Sequence, residues 1–252
     1  RFLGFLAKRA YRFAFGHKNQ TVIFQNPDDL FFCVNSGLVE KKRTALIKGS
    51  GVDMKVFSPC DEGGAGLAVL FAGRMLWQKG VGDFVDAARL LRRKGLEARF
   101  VLVGGSVSWN KDSVSDEQLR RWHQEGFVEW WGQRSDMHVV FRDAAIACLP
   151  SAYGEGVPRF LIEAAACGKP IVTTDTPGCR EIVHNNVNGF LVPAGNVLSL
   201  ADAIEKLLCD RSLRKSMGEA GRELASGEFS LERVVGQTLA VYDRLANVAN
   251  ID

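Results

Sequence analysis

Glu155 and Glu163 stand eight residues apart, the first in the stretch Gly154-Glu155-Gly156-Val157-Pro158 and the second within an apolar run from Phe160 to Ala166. Carboxylates accept hydrogen bonds from sugar and ribose hydroxyls, and a carboxylate among apolar neighbours needs a partner. A helix opening at Pro158–Arg159 would leave the N–H groups of Val157, Arg159 and Phe160 unpaired, an anion site at the positive end of the helix dipole. Helical side chains lean toward the N-terminus, so both glutamates can face one crevice. A second stretch, Gly73-Arg74-Met75-Leu76-Trp77-Gln78-Lys79-Gly80, carries two cations five residues apart between glycines. That pair suits a diphosphate, the guanidinium forking onto its oxygens and the ammonium acting as a point charge. Phosphate and hydroxyl recognition together describe a site for a sugar nucleotide. The sequence has no Asp-x-Asp pair and no His/Cys cluster at ligand spacing, so neither metal nor cofactor is expected.

Such groups act together only if the fold brings them to one edge. From residue 67 onward, short apolar runs alternate with helical patterns, the signature of a parallel sheet flanked by helices. Gly66–Ala72, Arg99–Val103, Phe127–Trp131, Ala145–Leu149, Pro170–Thr174 and Phe190–Val192 read as strands. Helical spacing follows the first of them through Phe84, Ala87, Ala88, Leu90 and Leu91 and ends at Lys94-Gly95, and Ser115-Asp116-Glu117-Gln118 matches a capping box. Ser135 reads as the cap of a short helix and Ser230 as the cap of a final one toward Leu245. Pro158 fits the first turn of the Glu163 helix, Gly168 its C-terminal cap, and Pro170 the stop beyond. Six strands with crossover helices predict an α/β, doubly wound, Rossmann-like domain. Its ligand should lie at the carboxyl ends of the strands, where both chemical stretches fall. Residues 1–45 stand apart: one helix, one strand over Thr21–Gln25, and a turn at Asn26-Pro27-Asp28-Asp29.

The run Glu155-Gly-Val-Pro-Arg-Phe-Leu-Ile-Glu163-Ala-Ala-Ala-Cys-Gly-Lys-Pro resembles the E-x7-E motif of retaining GT-B glycosyltransferases of family four. Gly49-Ser50-Gly51-Val52-Asp53 is similar to that family's interdomain signature, and Gly73-Arg74 with Lys79-Gly80 to its phosphate-binding pair. Thr176-Pro177-Gly178-Cys179-Arg180-Glu181 and Asn188-Gly189-Phe190-Leu191-Val192 are similar to its closing segment. The wording resembles most the bacterial transferases of capsule and lipopolysaccharide O-antigen, which often act on lipid-linked acceptors. The resemblance implies a GT-B C-terminal domain over residues 67–228, with a linker at 46–66, a crossover helix at 229–252, and residues 1–45 as the remnant of an N-terminal acceptor domain. It implies that Glu155 holds the transferred sugar, Glu163 the ribose, and Arg74 and Lys79 the leaving diphosphate, with Gly73, Gly156, Val157 and Pro158 around them and Trp131 at the base. Transfer would retain configuration without a metal. The donor would be a UDP- or GDP-sugar and the acceptor a glycan or polyprenyl-linked sugar. The acceptor-side loop and histidine of the family do not occur in these residues, so donor binding without transfer is the expectation.

The remaining features bound this reading. A formal charge of +3 gives no argument for nucleic acid. Five cations among residues 1–18, interleaved with Phe2, Leu3, Phe5, Leu6, Phe13 and Phe15, read as a basic amphipathic helix. It could pack on a sheet or rest on an anionic membrane surface. Six scattered cysteines suggest a reducing compartment, hence the cytoplasm, with the inner membrane face as a variant. His17, His123, His138 and His184 fit no catalytic pattern. A nicotinamide dehydrogenase would need a G-x-G-x-x-G turn after the first strand, where Gly73-Arg74-Met75-Leu76 stands instead. A GT-B sugar-nucleotide epimerase and a non-catalytic sugar-nucleotide-binding subunit are the alternatives retained.

Overall fold

The computed structural model describes residues 2–17, 19–59 and 67–249. The elements run α1 (Phe2–Ala14), β1 (Val22–Phe24), α2 (Pro27–Asn35), β2 (Thr44–Leu46), β3 (Ala68–Ala72), α3 (Val81–Arg93), β4 (Arg99–Val103), α4 (Asp116–Gln124), β5 (Glu129–Trp130) and α5 (Met137–Val140). They continue with β6 (Ile146–Leu149), α6 (Arg159–Ala166), β7 (Ile171–Thr174), α7 (Cys179–Ile182), β8 (Gly189–Val192), α8 (Val197–Cys209), α9 (Arg211–Glu228) and α10 (Leu231–Ala249). Gly66, the expected start of the first strand, and residues 60–65 of the expected linker lie outside the described residues.

The six strands from β3 to β8 form one sheet in the order β5-β4-β3-β6-β7-β8, and every pairing is parallel. Every residue of β3, β6 and β7 is buried, as a sheet covered on both faces requires. This is the doubly wound order, and the direction of winding reverses between β3 and β6, where a crevice opens at the strand ends. In the core between β3, α3 and β4, Phe84 meets Phe71 at a tilt and Phe100 edge to face, at centroid separations of 5.7 and 5.8 Å.

The helix carrying Glu163 is bounded as its sequence suggests at one end and shifted at the other. Gly168 takes a left-handed conformation, φ 67°, and its N–H bonds Ala165 O while Lys169 N bonds Ala164 O. That is a Schellman closure. Pro158 is the N-cap rather than the first helical residue, with ψ 120°. Its carbonyl accepts from the N–H groups of Leu161 and Ile162.

The N-terminal residues differ most from expectation. Asn26-Pro27-Asp28-Asp29 is the start of a helix, not an isolated turn: Asn26 caps α2 by accepting from Asp29 N, and Pro27 occupies its first turn. Strand β2, unforeseen in the sequence, pairs in parallel with β1 as a separate two-stranded sheet. The segment Gly49–Val52 joins this sheet to the larger one. Val52 N donates to Phe229 O and Leu231 N to Val52 O, both at 2.9 Å, so the linker forms a bridge to the start of α10. Ile47, Val234 and Val241 then make a small second core. Leu231, Val235, Leu239 and Tyr242 on α10 remain exposed, as does Phe13 on α1. No helix among the described residues is long and apolar enough to cross a membrane.

Candidate functional site

Both chemical stretches arrive at the switch point. The turn after β3 carries Gly73 and Arg74 and ends in a short helical turn, Trp77–Lys79. Gly80 follows with φ 76°, and a Cβ there would sit 2.0 Å from the carbonyl oxygen of Pro150, so only glycine lets this turn close on the one after β6. Ala152 N donates to Gln78 O at 2.8 Å and joins the two turns. Across the seam, Lys79 Nζ meets Glu155 Oε2 at 2.9 Å, both side chains being largely buried. Ser151 Oγ donates to the other carboxylate oxygen at 3.2 Å. A Cβ on Gly73 would lie 3.8 Å from Lys79 Nζ, so this pair borders the backbone of the first glycine.

Beside it opens a cleft of about 380 Å³ lined by Gly73, Arg74, Gly104, Arg134, Arg159 and Glu163 among others. Glu163 is buried and accepts from Arg159 Nε at 2.8 Å, while Arg159 itself is mostly exposed. Burial pushes the Glu163 carboxyl above its usual range, and the Arg159 guanidinium opposes that rise. Arg74 is exposed at the rim beside Tyr153, whose hydroxyl burial and then Glu155 raise and Arg74 lowers. Each glutamate of the motif therefore has its own cation. The two do not share one wall: Glu163 lines the cleft, whereas Glu155 is turned toward Lys79 and Ser151 at its edge.

Two sequence expectations need correction. Trp131 does not line this cleft. Its indole N–H donates to Glu129 Oε2 at 3.0 Å, and the Arg99 guanidinium lies 5.6 Å from its ring centre, which fixes it at the outer edge of the sheet. Gln133 and Arg134, two and three residues later, line the cleft instead. The N–H of Val157 is not open either, since it donates to Gln25 Oε1 at 3.2 Å. The sequence reading also missed Gly104 and Gly105. The available signal was a Gly-Gly pair directly after β4, a position where backbone approaches a ligand closely.

A larger concavity, about 700 Å³, lies at the opposite edge, near Lys169, Arg214 and Arg222. Two of its cations are engaged in holding the fold: Arg222 donates to the carbonyls of Phe57 and Met54, and Arg214 to those of Leu207 and Leu208. It also faces the amino ends of β6 and β7, away from the crevice where open sheets of this type bind ligands. The smaller cleft is the candidate site. Among the described residues no group of His, Cys, Asp and Glu is set to hold a metal ion. Of the histidines, His123 accepts from Trp130 N and His138 packs edge-on to Phe57.

Residues 64–224 match the model of the family described as glycosyl transferases group 1. The chain belongs to that family. A relative from Campylobacter jejuni, an N,N'-diacetylbacillosaminyl-diphospho-undecaprenol alpha-1,3-N-acetylgalactosaminyltransferase, is 33% identical over 254 residues, covering 96% of this chain and 64% of the relative. The capsular polysaccharide biosynthesis glycosyltransferase CapM of Staphylococcus aureus is 27% identical, over 69% of this chain and 45% of its own length. Among solved structures, a sucrose-phosphate synthase from Thermosynechococcus elongatus superposes with a TM-score of 0.79 at 26% identity, over 90% of this chain and 59% of the other. The fold is thus that of GT-B transferases, and this group 1 chain spans about half to two thirds of the length of the proteins it matches.

Proposed function

We propose that these residues form the donor half of a retaining, metal-independent glycosyltransferase that moves a sugar from a nucleoside diphosphate sugar to a glycan or polyprenyl-linked acceptor. The observation that carries this reading is the Lys79–Glu155 pair at the switch point, with the Gly73–Arg74 turn and the Glu163 cleft beside it. An incoming diphosphate offers Lys79 a more highly charged partner than Glu155. On that exchange the ammonium turns to the phosphate oxygens, and the released carboxylate accepts from hydroxyls of the sugar. Arg74, exposed at the rim beside Tyr153, joins the diphosphate and neutralises charge as it grows on the leaving group, which lowers the barrier only to the extent that the charge is larger in the transition state. Glu163 accepts from the ribose, with the remaining first-turn N–H groups of α6, those of Arg159 and Phe160, directed at phosphate. The cations thus take the part a divalent ion would otherwise play.

The acceptor follows from the Campylobacter relative, whose name describes transfer to a saccharide on diphospho-undecaprenol. A polyprenyl-linked acceptor lies at a membrane face, and α1, with Phe13 and Tyr11 exposed beside Arg9 and Arg12, is the element suited to rest there. Arg1 and Lys18 of that basic segment lie outside the described residues. On this reading transfer takes place at the cytoplasmic face of the membrane. The 252 residues carry little of an acceptor wall, so they are expected to bind donor and to transfer nothing by themselves.

Thermal unfolding in the presence of UDP, GDP and their common sugar conjugates tests the reading, because a ligand of the native state alone raises stability by RT ln(1 + [L]/Kd), about 2.7 kcal/mol at a hundredfold excess over Kd. One nucleotide series should raise Tm, and EDTA should leave the rise intact. A rise that EDTA abolishes and magnesium restores argues for a metal site; no rise with any nucleotide argues against the function.

Glu163→Gln separates function from stability. Nucleotide affinity should fall on the order of tenfold, about 1.4 kcal/mol, with or without the sugar. Stability should move the other way. A buried carboxyl with a raised folded pKa binds protons more readily in the native than in the unfolded chain, so its contribution falls as pH rises from its ordinary range through the raised value. The variant lacks that loss. Its Tm should exceed that of the unsubstituted chain at neutral pH, and the gap should close at acid pH. A variant less stable at neutral pH would contradict the account of Glu163.

A further inference from the structure

Asn26 is fully buried, yet it lies outside the cleft and outside every motif that pointed to chemistry. Its side chain is satisfied in one orientation only. Oδ1 accepts from Asp29 N at 2.8 Å and caps α2. Nδ2 donates to Asp29 Oδ2 at 2.8 Å and, on its other side, to the carbonyl of Glu155 at 3.2 Å and that of Gly156 at 3.4 Å. Exchanging the amide atoms would set oxygen against two carbonyls and leave Asp29 N without its acceptor. The next residue back, Gln25, takes Val157 N. From the other flank, Glu155 N donates to Pro177 O at 3.2 Å, and a Cβ on Gly178 would come within 1.8 Å of Gly156 O, so that strand-end turn presses on the same peptide. Arg180 Nη1 lies 3.5 Å from Asp28 Oδ1 and ties the two flanks together. Both backbone polar groups of Glu155, the carbonyl of Gly156 and the N–H of Val157 are thus all held, three of the four by residues about 130 positions away.

We infer that Asn26 is a positioning residue for Glu155: its amide fixes the Glu155–Gly156 peptides, and with them the point from which the carboxylate reaches the sugar of the donor. The inference rests on the proposed role of Glu155 and adds a residue from the N-terminal segment to it. A loop rich in glycine has many backbone states. Without the amide its two carbonyls lose their donor inside the protein, and the loop relaxes to satisfy them elsewhere, which moves the carboxylate. The diphosphate, held by Arg74 and Lys79 on the turn after β3, does not depend on this grip. The expected signature is therefore a loss confined to the sugar.

Asn26→Ser tests this with little threat to the fold, because serine caps a helix about as well as asparagine while lacking the NH2 donor. Asn26→Asp is the second variant: it also caps well and sets a carboxylate against the two carbonyls. Titration calorimetry would use UDP and UDP-N-acetylgalactosamine, or GDP and GDP-mannose if the guanine pair binds more tightly. Either Asn26 variant should raise Kd for the sugar nucleotide about five- to tenfold and leave that of the bare diphosphate within twofold. Glu155→Gln should lose the sugar by the same factor, read as the ratio of the two Kd values because freeing Lys79 from its carboxylate tightens the diphosphate itself. In that ratio the double variant should be no worse than the worse single one, since both changes remove one interaction. Equal losses for diphosphate and sugar nucleotide would reduce Asn26 to a structural role and overturn the inference. So would Asn26 variants with unchanged affinities beside a Glu155→Gln that loses the sugar. If Glu155→Gln itself leaves the sugar nucleotide unaffected, the role of Glu155 fails, and the inference fails with it.

Discussion

Lys79→Ala is expected to weaken binding of a nucleoside diphosphate by about 1.5–3 kcal/mol, the range of a hydrogen bond to a charged group, or roughly 10- to 150-fold. The bare nucleoside should bind as before. Two features make this side chain the more costly of the two cations to remove. It is buried, so its charge is felt with less screening than a surface lysine's. It also partners Glu155, and its loss leaves a mostly buried carboxylate with Ser151 Oγ as its other contact. Arg74→Ala should act in the same direction but less, because Arg74 stands at the exposed rim. Calorimetric titration with nucleoside, monophosphate and diphosphate separates these effects. Equal losses along the series would remove Lys79 from the phosphate site.

The second large effect is on the scaffold. Gly104→Ala should cost about 3 kcal/mol or more of stability, adding backbone strain of roughly 1–3 kcal/mol to overlap of similar size. Gly104 has φ 138°, and a Cβ there would lie 1.8 Å from the carbonyl oxygen of Gly73. Relief requires β3 and β4 to part at their carboxyl ends, which displaces the Gly73–Arg74 turn. Urea unfolding should show a lower midpoint with an unchanged slope, together with weaker diphosphate binding. Gly105→Ala is the control, because a Cβ at Gly105 meets nothing within 4 Å. Similar losses at both positions would show that this close approach of two turns is not what Gly104 supplies.

What the sequence made legible follows from the range of the interactions concerned. The six parallel strands were visible because each lies in a short, largely apolar run with turn residues beyond it, fully buried in β3, β6 and β7, and the edges of those runs err by only a residue or two. The Glu163 helix was bounded by Gly168, whose left-handed conformation is a local property of that one residue. Arg74, Lys79, Glu155 and Glu163 could be assigned to one edge because strand ends in a doubly wound sheet converge. Their pairing could not be read. Nothing in the spacing says that Glu155 turns to Lys79, 76 residues away, while Glu163 stays with Arg159 four residues before it.

The errors have the same origin. Trp131 sits at a strand end, which suggested a platform for the base, but Arg99 on the neighbouring strand β4 claims its ring and Glu129, two residues earlier on β5, its N–H. Asn-Pro-Asp-Asp has the composition of a turn and equally that of a capped helix start. The decision lies in the apolar residues Leu30, Phe31 and Phe32 that follow. The Val157 N–H seemed free because Gln25 lies 132 residues earlier in the chain. Contacts that close the site from the N-terminal segment depend on tertiary geometry and leave no local pattern.

The central claim is that a nucleoside diphosphate lies at the switch point between β3 and β6. A crystal structure of the chain with UDP or GDP bound tests it most directly. The account predicts the diphosphate between Arg74, Lys79 and the start of α6, ribose hydroxyls on Glu163, and Lys79 drawn away from its 2.9 Å contact with Glu155. Nucleotide found instead in the concavity beside Lys169 and Arg214, at the amino ends of the strands, with the Lys79–Glu155 pair undisturbed, would contradict it.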